Sequence, residues 1–546
     1  MANPLFVQDD GKIFVSDDGP DFDGLRSELS TFGFLTEQQQ PMYVYQMTPT
    51  SLWQAASLGL TPRDVLSFLR KHVTSPIALP VQEMIVKEMG KWGVFRLTQT
   101  TPSSIQLSFP KDSLETLLKL PVVQQRHLGV FANRILFPAD IRGTLKQALA
   151  HSGIPVVDAV DYEPSVVLSA QLRRDTILRD YQEAAVRAFF RKEFHQSGIV
   201  ILPCGSGKTL IGVAILCEIG LHTLIVTPSE VAAQQWIGEC RKRTTLASES
   251  IGMYKATQPL TPVTVTTYQR VSGRSQGGVY RHLQRLTGHP WGLVIYDEVH
   301  MLPAPLFRLA ADLQTARRLG LTATLVREDG AETDVYSLIG PKCYEADWKV
   351  LERKGYLAKV NCVELQIPLS ASEQANYDRA LPRERHRMAA LNSNKIDWVK
   401  VLLHRHHDDK ILIIGHYLES LRTVARLFHL PLITGQTSQQ QRSEIYQAFR
   451  EGSLHCLVLS RVANMAIDLP QATVGIQISG LYASRQEEAQ RLGRLLRPKE
   501  QSAFFYTLVS AGTVEAQVAR KRQRFLVERG YHYTVQNVSR ERVTRQ

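Results

Sequence analysis

Residues 202–210, LPCGSGKTL, place a lysine and a threonine directly after two glycines, beyond the apolar run GIVI. Gly205 and Gly207 lack a Cβ, so the backbone can wrap an anion closely. Lys208 can then reach the outer phosphates of a nucleotide, and the Thr209 hydroxyl can ligate magnesium. A glycine-rich turn is the alternative interpretation, since Leu202 stands where the strict pattern has glycine. The pattern predicts a phosphate loop made of Pro203, Cys204, Gly205, Ser206, Gly207, Lys208 and Thr209.

Two adjacent carboxylates follow another apolar run, WGLVIYDEVHML at residues 291–302. A buried strand here would deliver Asp297 and Glu298 to its carboxyl end, which is where ligands gather in an open parallel sheet. Asp297 is then suited to hold magnesium, and Glu298 to orient or deprotonate an attacking water. The alternative is a solvated loop, which the preceding strand and the distance from the phosphate loop disfavour.

Other polar residues near these two segments have weaker signals. Thr322 and Thr324 end the apolar run LGLTATL and can relay hydrogen bonds away from a nucleotide, although buried threonines are also ordinary strand residues. Gln182 in LRDYQ has the donors and the acceptor needed to contact an adenine edge. Its alternative role is that of a polar residue on an amphipathic helix.

Two arginines and a glutamine share one predicted helix face near the end of the chain. In SRQEEAQRLGRLLRPK, residues 484–499, Gln490, Arg494 and Arg497 are spaced i, i+4 and i+7. A guanidinium beside a departing γ phosphate neutralises the charge that develops there. The alternative is an ordinary basic helix surface.

The elements that position these residues read as two parallel α/β units. HTLIVTPS (222–229), VTVTTYQ (263–269) and the runs before Asp297 and Thr322 predict strands, and AAQQWIGECRKR (232–243) predicts a helix. A second unit begins near residue 355. Its predicted strands lie in KILIIGHYLESLRTVARLF, LPLITGQT, SLHCLVLSRVANMAIDLP and ATVGIQISG, with SQQQRSEIYQAFREG as an intervening helix.

Composition limits the class of protein. A chain of 546 residues predicts about three to four domains. The six cysteines form no C-x-x-C pair, which disfavours a zinc module, a disulfide framework or an iron–sulfur cluster. No run of eighteen apolar residues occurs and the N-terminus has no signal-peptide pattern, so we expect neither a membrane-spanning nor a secreted protein. The net charge of +12 suits a polyanionic partner.

Seven segments in order, LRDYQ, LPCGSGKT, TTYQ, YDEVH, LTATL, SRVANMAIDLP and QRLGRLLRP, resemble the motifs of superfamily two helicases. More closely, the sequence resembles the XPB helicase group in its shorter, prokaryotic form. LTATLVREDG contains that group's Arg-Glu-Asp triplet, and IDLP and SRQEEAQRLGR resemble its later motifs. The resemblance covers roughly residues 170 to 530 and extends into the N-terminal third through MTPTSLWQAASLGLTPRDVLSFL.

This resemblance implies an α/β fold with two RecA-like parallel-sheet motor lobes and an N-terminal α+β accessory region. The expected domains are residues 1–170, 171–350 and 351–546. The resemblance adds Arg179 and Asp468 to the ATP-binding residues. It assigns coupling roles to His300, Thr322, Ala323 and Thr324, and DNA contacts to Arg327, Glu328, Asp329 and, in a thumb element, Arg383, Arg385 and Arg387.

The function implied is that of a DNA-dependent ATPase and 3′–5′ DNA helicase, which uses ATP and Mg²⁺ and acts in DNA repair. We expect single-stranded or forked duplex DNA as its partner, a separate nuclease as a further partner, no membrane partner, and a cytoplasmic, nucleoid-associated location. Two alternatives stay open: a duplex translocase that does not separate strands, and a low-turnover ATP switch on a DNA-binding scaffold.

The N-terminal third has no catalytic signature. TPRDVLSFLRKHV and PVQEMIVKEMGKWGVFRLTQ predict helices followed by a strand, compatible with a small winged-helix-like module. VDAVDYEPSVVLSA (157–170) reads as a connection to the first lobe. The resemblance suggests a DNA-engaging or damage-sensing region, and a structural brace is the alternative.

Overall fold

The computed structural model divides the chain into two compact units. The first comprises Met1–Leu202 and Gly207–Ala346, and the second comprises Pro203–Ser206 and Asp347–Gln546. The structure describes residues 5–16, 22–39, 42–73, 75–161, 165–191, 196–203, 205–273, 281–302, 311, 313, 317–323, 332–346, 348–460, 472–479, 503–520 and 532–538. Within those residues, no helix has both the length and the apolar character needed to cross a membrane.

The first N-terminal module is an antiparallel sheet covered by helices. Its strands are β1 (Leu5–Val7), β2 (Lys12–Ser16), β3 (Phe34–Gln39) and β4 (Met42–Gln46), in the order β1-β2-β4-β3. Its helices are Phe22–Phe32, Pro49–Ser57, Pro62–His72 and Leu79–Gly90. The sequence fixes two helix starts, because Thr48 and Thr61 each cap a backbone N–H and each precede a proline.

The second N-terminal module has a sheet of its own. Its strands are β5 (Phe95–Thr101), β6 (Ser104–Ser108), β7 (Gly129–Phe131), β8 (Arg134–Pro138) and β9 (Val156–Ala159), in the order β7-β8-β6-β5-β9. Its α-helices are Leu114–Leu118, Pro121–Arg126 and Arg142–His151, and 3₁₀ turns lie at Lys111–Ser113 and Ala139–Ile141.

The N-terminal region is therefore two modules, not the single small winged-helix-like module that the sequence suggested. The segment interpreted as a connection also begins inside a strand, because β9 pairs in parallel with β5. That strand has only four residues, and Asp158 stands where an apolar residue would have signalled burial. Four residues with an aspartate among them are too few to show the alternation of apolar and polar side chains that identifies a strand.

The first motor sheet follows, with seven strands among the described residues. They are β10 (Gly198–Ile201), β11 (Thr223–Thr227), β12 (Ile251–Met253), β13 (Val263–Thr267), β14 (Leu293–Asp297), β15 (Arg317–Thr322) and β16 (Lys342–Glu345). Every pair is parallel, and the order is β12-β13-β11-β14-β15-β10-β16. The α-helices are Asp180–Phe189, Lys208–Ile219, Glu230–Arg243, Tyr268–Ser272, Arg281–Thr287 and Glu332–Leu338, with 3₁₀ turns at Ser248–Ser250 and Val299–Met301.

This strand order determines where the site forms. β10, β15 and β14 are neighbours, so the segments that leave their carboxyl ends start side by side. Those segments are the phosphate loop after β10, the residues after Thr322, and the Asp297-Glu298 pair. The strands are almost fully buried, which explains why they appear in the sequence as continuous apolar runs.

A buried group of charges joins the second N-terminal module to the first motor sheet. Asp158 on β9 forms ion pairs of 2.8 Å with Arg142 and 2.8 Å with Lys146, and Arg318 on β15 lies 3.7 Å away. We call these four residues the Asp158 cluster. Burial opposes ionisation of Asp158, but the three cations hold its pKa far below the ordinary value. Burial also lowers the pKa of Lys146, to about 7.

Further contacts join both N-terminal modules to the motor sheet. Lys342 Nζ donates a 2.8 Å hydrogen bond to the backbone oxygen of Ser30, and the rings of Phe34 and Tyr336 stack. A Cβ on Gly143 would lie 2.4 Å from the backbone of Ala311, so the two backbone segments are in direct contact there. The N-terminal modules and the motor sheet are thus packed as parts of one unit.

The second unit contains another parallel sheet of seven described strands. They are β17 (Val360–Ile367), β18 (Ile411–Gly415), β19 (Leu432–Ile433), β20 (Cys456–Ser460), β21 (Val474–Gln477), β22 (Ala503–Ser510) and β23 (His532–Asn537), in the order β19-β20-β18-β21-β22-β17-β23. Its helices are Trp348–Arg353, Ala371–Arg379, Pro382–Ala390, Asn394–Arg405, Leu418–Leu427 and Gln439–Glu451. The prediction of two parallel-sheet lobes is confirmed.

Two strand predictions extended into a helix cap or a turn formed by hydroxyl residues. The run VTVTTYQ stops being a strand at Thr267, because its hydroxyl caps the next helix by accepting a hydrogen bond from the N–H of Arg270. In LPLITGQT only two residues are strand, because Thr434 and Thr437 bond to each other in a turn. Both errors come from hydroxyl residues, which favour strands and also form caps and turns.

Candidate active site

The predicted phosphate loop joins β10 to a helix that begins at Lys208. Gly205 and Gly207 have φ angles of 81° and 82°, a region that favours glycine. Ser206 Oγ donates a 2.6 Å hydrogen bond to the backbone oxygen of Pro203, which closes the turn. Helix Lys208–Ile219 therefore begins next to a loop suited to an anion. Cys204 lies outside the described residues.

Lys208 and Glu298 form an ion pair of 3.1 Å with little solvent exposure. Glu298 has a left-handed backbone, with φ 50° and ψ 54°, which is a strained conformation for a non-glycine residue. Burial alone would raise the pKa of Glu298, but the charges of Lys208 and His300 and the backbone N–H of Ala323 hold that pKa below its ordinary value. The structure thus keeps the carboxylate ionised.

Asp297 is the last residue of β14, beside Glu298. Burial and the neighbouring Glu298 charge raise the pKa of Asp297 to about 6, while a hydrogen bond from Trp236 and the charge of Lys208 oppose the rise. The two adjacent carboxyl groups therefore have opposite pKa shifts, because Lys208 contacts Glu298 directly. One group is stabilised as an anion by a lysine, and the other is available to a further cation.

Thr209 and Asp297 are the residues that would hold magnesium. Thr209 is half-buried in the first turn of the helix that follows the loop, and it offers a hydroxyl oxygen. Among the residues that the structure describes, no group of three or more His, Cys, Asp or Glu side chains could enclose a metal. A single hydroxyl and a single carboxylate fit Mg²⁺, which keeps several waters and takes the rest of its ligands from nucleotide phosphates.

The predicted coupling residues lie beside the carboxylates. His300 Nδ1 is 2.6 Å from Thr322 Oγ1 and 3.4 Å from Glu298 Oε2. Thr322 is fully buried at the end of β15, and Ala323 follows it. These contacts connect the Asp-Glu segment to the end of the neighbouring strand. Thr324 lies outside the described residues.

Gln182 lies against the phosphate loop. Its Oε1 accepts a 3.0 Å hydrogen bond from the backbone N–H of Arg179, and a Cβ on Gly207 would come within 2.6 Å of its Nε2. Only 3% of Gln182 is exposed. The amide thus helps to explain why position 207 is glycine, and its proposed adenine contact stays a prediction.

Several predicted residues fall where the structure gives no description. These are Arg327, Glu328, Asp329, Asp468, Gln490, Arg494 and Arg497, and their roles rest on the sequence. The three thumb arginines are described and differ from one another. Arg383 is exposed, whereas Arg385 donates to the backbone oxygen of Ala380 and Arg387 pairs with Glu419 at 2.7 Å.

Two residues of the site were not predicted. Trp236 Nε1 donates a 2.9 Å hydrogen bond to Oδ2 of Asp297, and the Tyr268 hydroxyl donates a 2.7 Å bond to the backbone oxygen of Asp297. Tyr268 lies in TTYQ, one of the motif segments, which was a signal for it. Trp236 had no such signal, because its helix showed only an ordinary pattern.

The two seven-stranded parallel sheets, with a phosphate loop and a Lys208–Glu298 pair at the strand ends of the first, define a nucleotide-driven motor of the helicase class. Family models agree with this class. A model described as ERCC3/RAD25/XPB C-terminal helicase matches residues 351–545, one described as type III restriction enzyme, res subunit, matches residues 175–327, and one described as helicase conserved C-terminal domain matches residues 5–132.

Comparison with full-length proteins identifies the family within the helicase class. The chain is 39% identical over 543 residues to the DNA 3′-5′ helicase XPB of Mycobacterium tuberculosis, with 98% of each chain covered. It is 40% identical to the protein of the same name from Kineococcus radiotolerans, with 97% of this chain and 96% of the relative covered. The chain belongs to the XPB-type helicase family.

A eukaryotic relative shows how far this similarity extends. The chain is 31% identical to the Saccharomyces cerevisiae general transcription and DNA repair factor IIH helicase/translocase subunit XPB/SSL2, over 98% of this chain and 72% of that protein. The prediction of an XPB-type helicase is therefore confirmed. The sequence similarity includes the N-terminal third of the chain.

Proposed function

We propose that this chain is a DNA-dependent ATPase that moves 3′ to 5′ along one strand of DNA and separates the duplex. The observation that carries the proposal is the 3.1 Å contact of Lys208 with Glu298, beside Asp297, in a member of the XPB-type family. The contact combines a cation for phosphates and an ionised base in one site, which is what phosphoryl transfer to water requires.

Lys208 and Glu298 divide the chemistry between them. Lys208 binds the outer phosphates, and Glu298 orients the attacking water and accepts its proton. The Lys208 charge and the Ala323 N–H keep Glu298 ionised, so the base is ready at neutral pH. The Thr209 hydroxyl and the Asp297 carboxylate would hold Mg²⁺, whose charge stabilises the phosphate oxygens.

Movement of DNA requires that the state of the nucleotide changes the DNA-binding surface. We propose that His300, Thr322 and Ala323 carry this signal, because they connect Glu298 to the end of β15. Thr324 and the Arg327-Glu328-Asp329 triplet follow that strand in sequence. The motif pattern alone leads us to propose that Gln490, Arg494, Arg497 and Asp468 act on the nucleotide.

The proposal includes the context of the activity. We infer a role in DNA repair, a cytoplasmic location with the nucleoid, and a separate nuclease as partner, all by analogy with the family. Arg383 is the thumb arginine best suited to a phosphate, since it is exposed and, within the described part of the chain, has no ion pair or hydrogen bond.

ATPase and strand-displacement assays test the proposed function together. We expect ATP hydrolysis to rise with single-stranded and forked DNA, and forks with a 3′ single-stranded tail to be opened in preference to those with a 5′ tail. Hydrolysis without strand displacement on every fork would contradict the helicase proposal and leave a duplex translocase. No stimulation by any DNA would contradict the DNA-dependent ATPase itself.

A further inference from the structure

Trp236 contacts the Asp297 carboxylate from a helix that belongs neither to the phosphate loop nor to the Asp297-Glu298 segment. It lies on helix Glu230–Arg243, and its Nε1–H donates the 2.9 Å hydrogen bond to Oδ2 of Asp297. Only 1% of the residue is exposed, so water does not compete strongly for this bond. A charge-assisted bond in such a place has a strong orienting effect.

The opposite side of the indole packs on the phosphate-loop helix. A Cβ on Gly212 would lie 2.4 Å from Cη2 and 3.1 Å from Cζ3 of Trp236, so glycine is needed for the ring to fit. Gly212 is one turn beyond Lys208 and Thr209 on the same helix. The ring therefore lies between that helix and Asp297, and its position fixes the direction of the N–H.

The backbone of Asp297 has an anchor of its own. The Tyr268 hydroxyl donates to the Asp297 backbone oxygen at 2.7 Å, and β14 pairs with β15 through that residue. Loss of the indole N–H would thus leave the strand end in place. Its effect should be confined to the orientation of the carboxylate.

We propose that Trp236 is a positioning residue for the magnesium ligand Asp297, and this inference rests on the proposed function. By donating to Oδ2, the indole restricts rotation of the carboxylate, together with the backbone N–H of Glu298. Partners that orient a metal ligand contribute about ten- to a hundredfold in metal affinity in other proteins. The sequence gives no sign of this role, because the helix that carries Trp236 is not part of the loop or of the Asp-Glu segment.

The test compares two phenylalanine variants of the full chain. Trp236→Phe keeps an aromatic ring and removes the N–H. Trp291→Phe is the matched control, because Trp291 is 3% exposed and its Nε1 donates a 2.7 Å bond to the backbone oxygen of Leu286, before β14 begins. The measurement is the Kd of ADP by calorimetry with excess Mg²⁺ and again with EDTA.

We expect Mg²⁺ to tighten ADP binding by about tenfold less in Trp236→Phe than in the wild type. The Kd in EDTA should stay unchanged, because Lys208 and the loop are intact, and Trp291→Phe should keep the full effect of Mg²⁺. An unchanged Mg²⁺ effect in Trp236→Phe, or an equal loss in both variants, would overturn the inference. Failure of the wild type to bind ADP would instead contradict the proposed function.

A second variant covers the case in which Trp236→Phe does not fold. Gly212→Ala leaves the indole and Asp297 in the chain but pushes the ring with a methyl group. We expect the Mg²⁺ effect on ADP binding to fall in the same direction. A folded Gly212→Ala protein with the full Mg²⁺ effect would then overturn the inference.

Discussion

Glu298 shows how one residue can combine a strained backbone with a stabilised charge. Its left-handed conformation costs on the order of 1–3 kcal/mol in a non-glycine residue. The Lys208 ion pair and the Ala323 N–H stabilise the ionised carboxylate of Glu298. A glycine would relieve the strain but would have no carboxylate. Strain is therefore retained at the residue that is proposed to take the proton from water.

Removal of the Lys208 charge should nearly abolish ATP turnover. In Lys208→Ala the phosphates lose their cation, and Glu298 loses the neighbour that keeps its pKa low. We expect steady-state turnover to fall at least about a hundredfold, or roughly 2.7 kcal/mol of transition-state stabilisation. Binding of DNA without nucleotide, measured by fluorescence anisotropy, should be retained. Normal turnover would contradict the phosphate-loop assignment.

Arg494 should affect hydrolysis more than nucleotide binding. Its proposed charge acts on the γ phosphate as that group departs, so Arg494→Ala should bind ATP nearly normally and hydrolyse it slowly. Equilibrium binding of a non-hydrolysable analogue and single-turnover kinetics measure the two effects separately. A fall in affinity that accounts for the whole fall in rate would assign Arg494 to ground-state binding.

At the residue scale, the sequence predicted the neighbours of those site residues that directly follow a strand. Lys208, Glu298, His300 and Thr322 meet because their segments leave neighbouring strands. Trp236 was not predictable in this way. The contact of Trp236 with Asp297 depends on how the helix Glu230–Arg243 packs on the sheet, and the local sequence does not predict that packing.

The Asp158 cluster is the main contact between elements that the sequence did not suggest. Strand β9 looked like a linker, because its third residue is an aspartate and not an apolar residue. Its partners Arg142 and Lys146 lie one turn apart on one helix, Arg318 is far away in sequence, and each looks like an ordinary surface charge until the elements pack. The cluster therefore appears only when β9 and β15 are seen together.

Neutralising Asp158 should destabilise the first unit strongly. Asp158→Asn removes the buried anion that Arg142, Lys146 and Arg318 share, and breaking such a buried group costs about 3–5 kcal/mol. Asp140→Asn is the control, because the Asp140–Arg126 pair is exposed and should contribute under about 1 kcal/mol. Urea unfolding measures both. Equal midpoints for the two variants would contradict the importance of the cluster.

For the whole molecule, the order of motifs suggests that the N-terminal third can be removed, since LRDYQ begins only at Leu178. The structure leads to a different expectation. Deletion of residues 1–165 would remove Asp158 from Arg318, Ser30 from Lys342 and Phe34 from Tyr336. Both N-terminal modules therefore belong to the packing of the first motor sheet.

We expect the truncated chain to lose soluble yield and to melt well below the full-length protein, with ATPase activity reduced as a result. Addition of Arg318→Leu to the truncation should recover part of the lost stability, because it removes a buried cation that has lost the nearby Asp158 carboxylate. Differential scanning calorimetry and DNA-free ATPase assays measure these effects. A truncation that melts like the full chain would assign the N-terminal region to an independent accessory role.

The Asp158 cluster has a mechanical consequence. Buried ion pairs hold β9 against β15 within the first unit. A displacement of β9 would therefore be passed to β15, the strand that ends beside Glu298. The region without predicted catalytic residues is therefore in direct contact with the sheet that carries the candidate site.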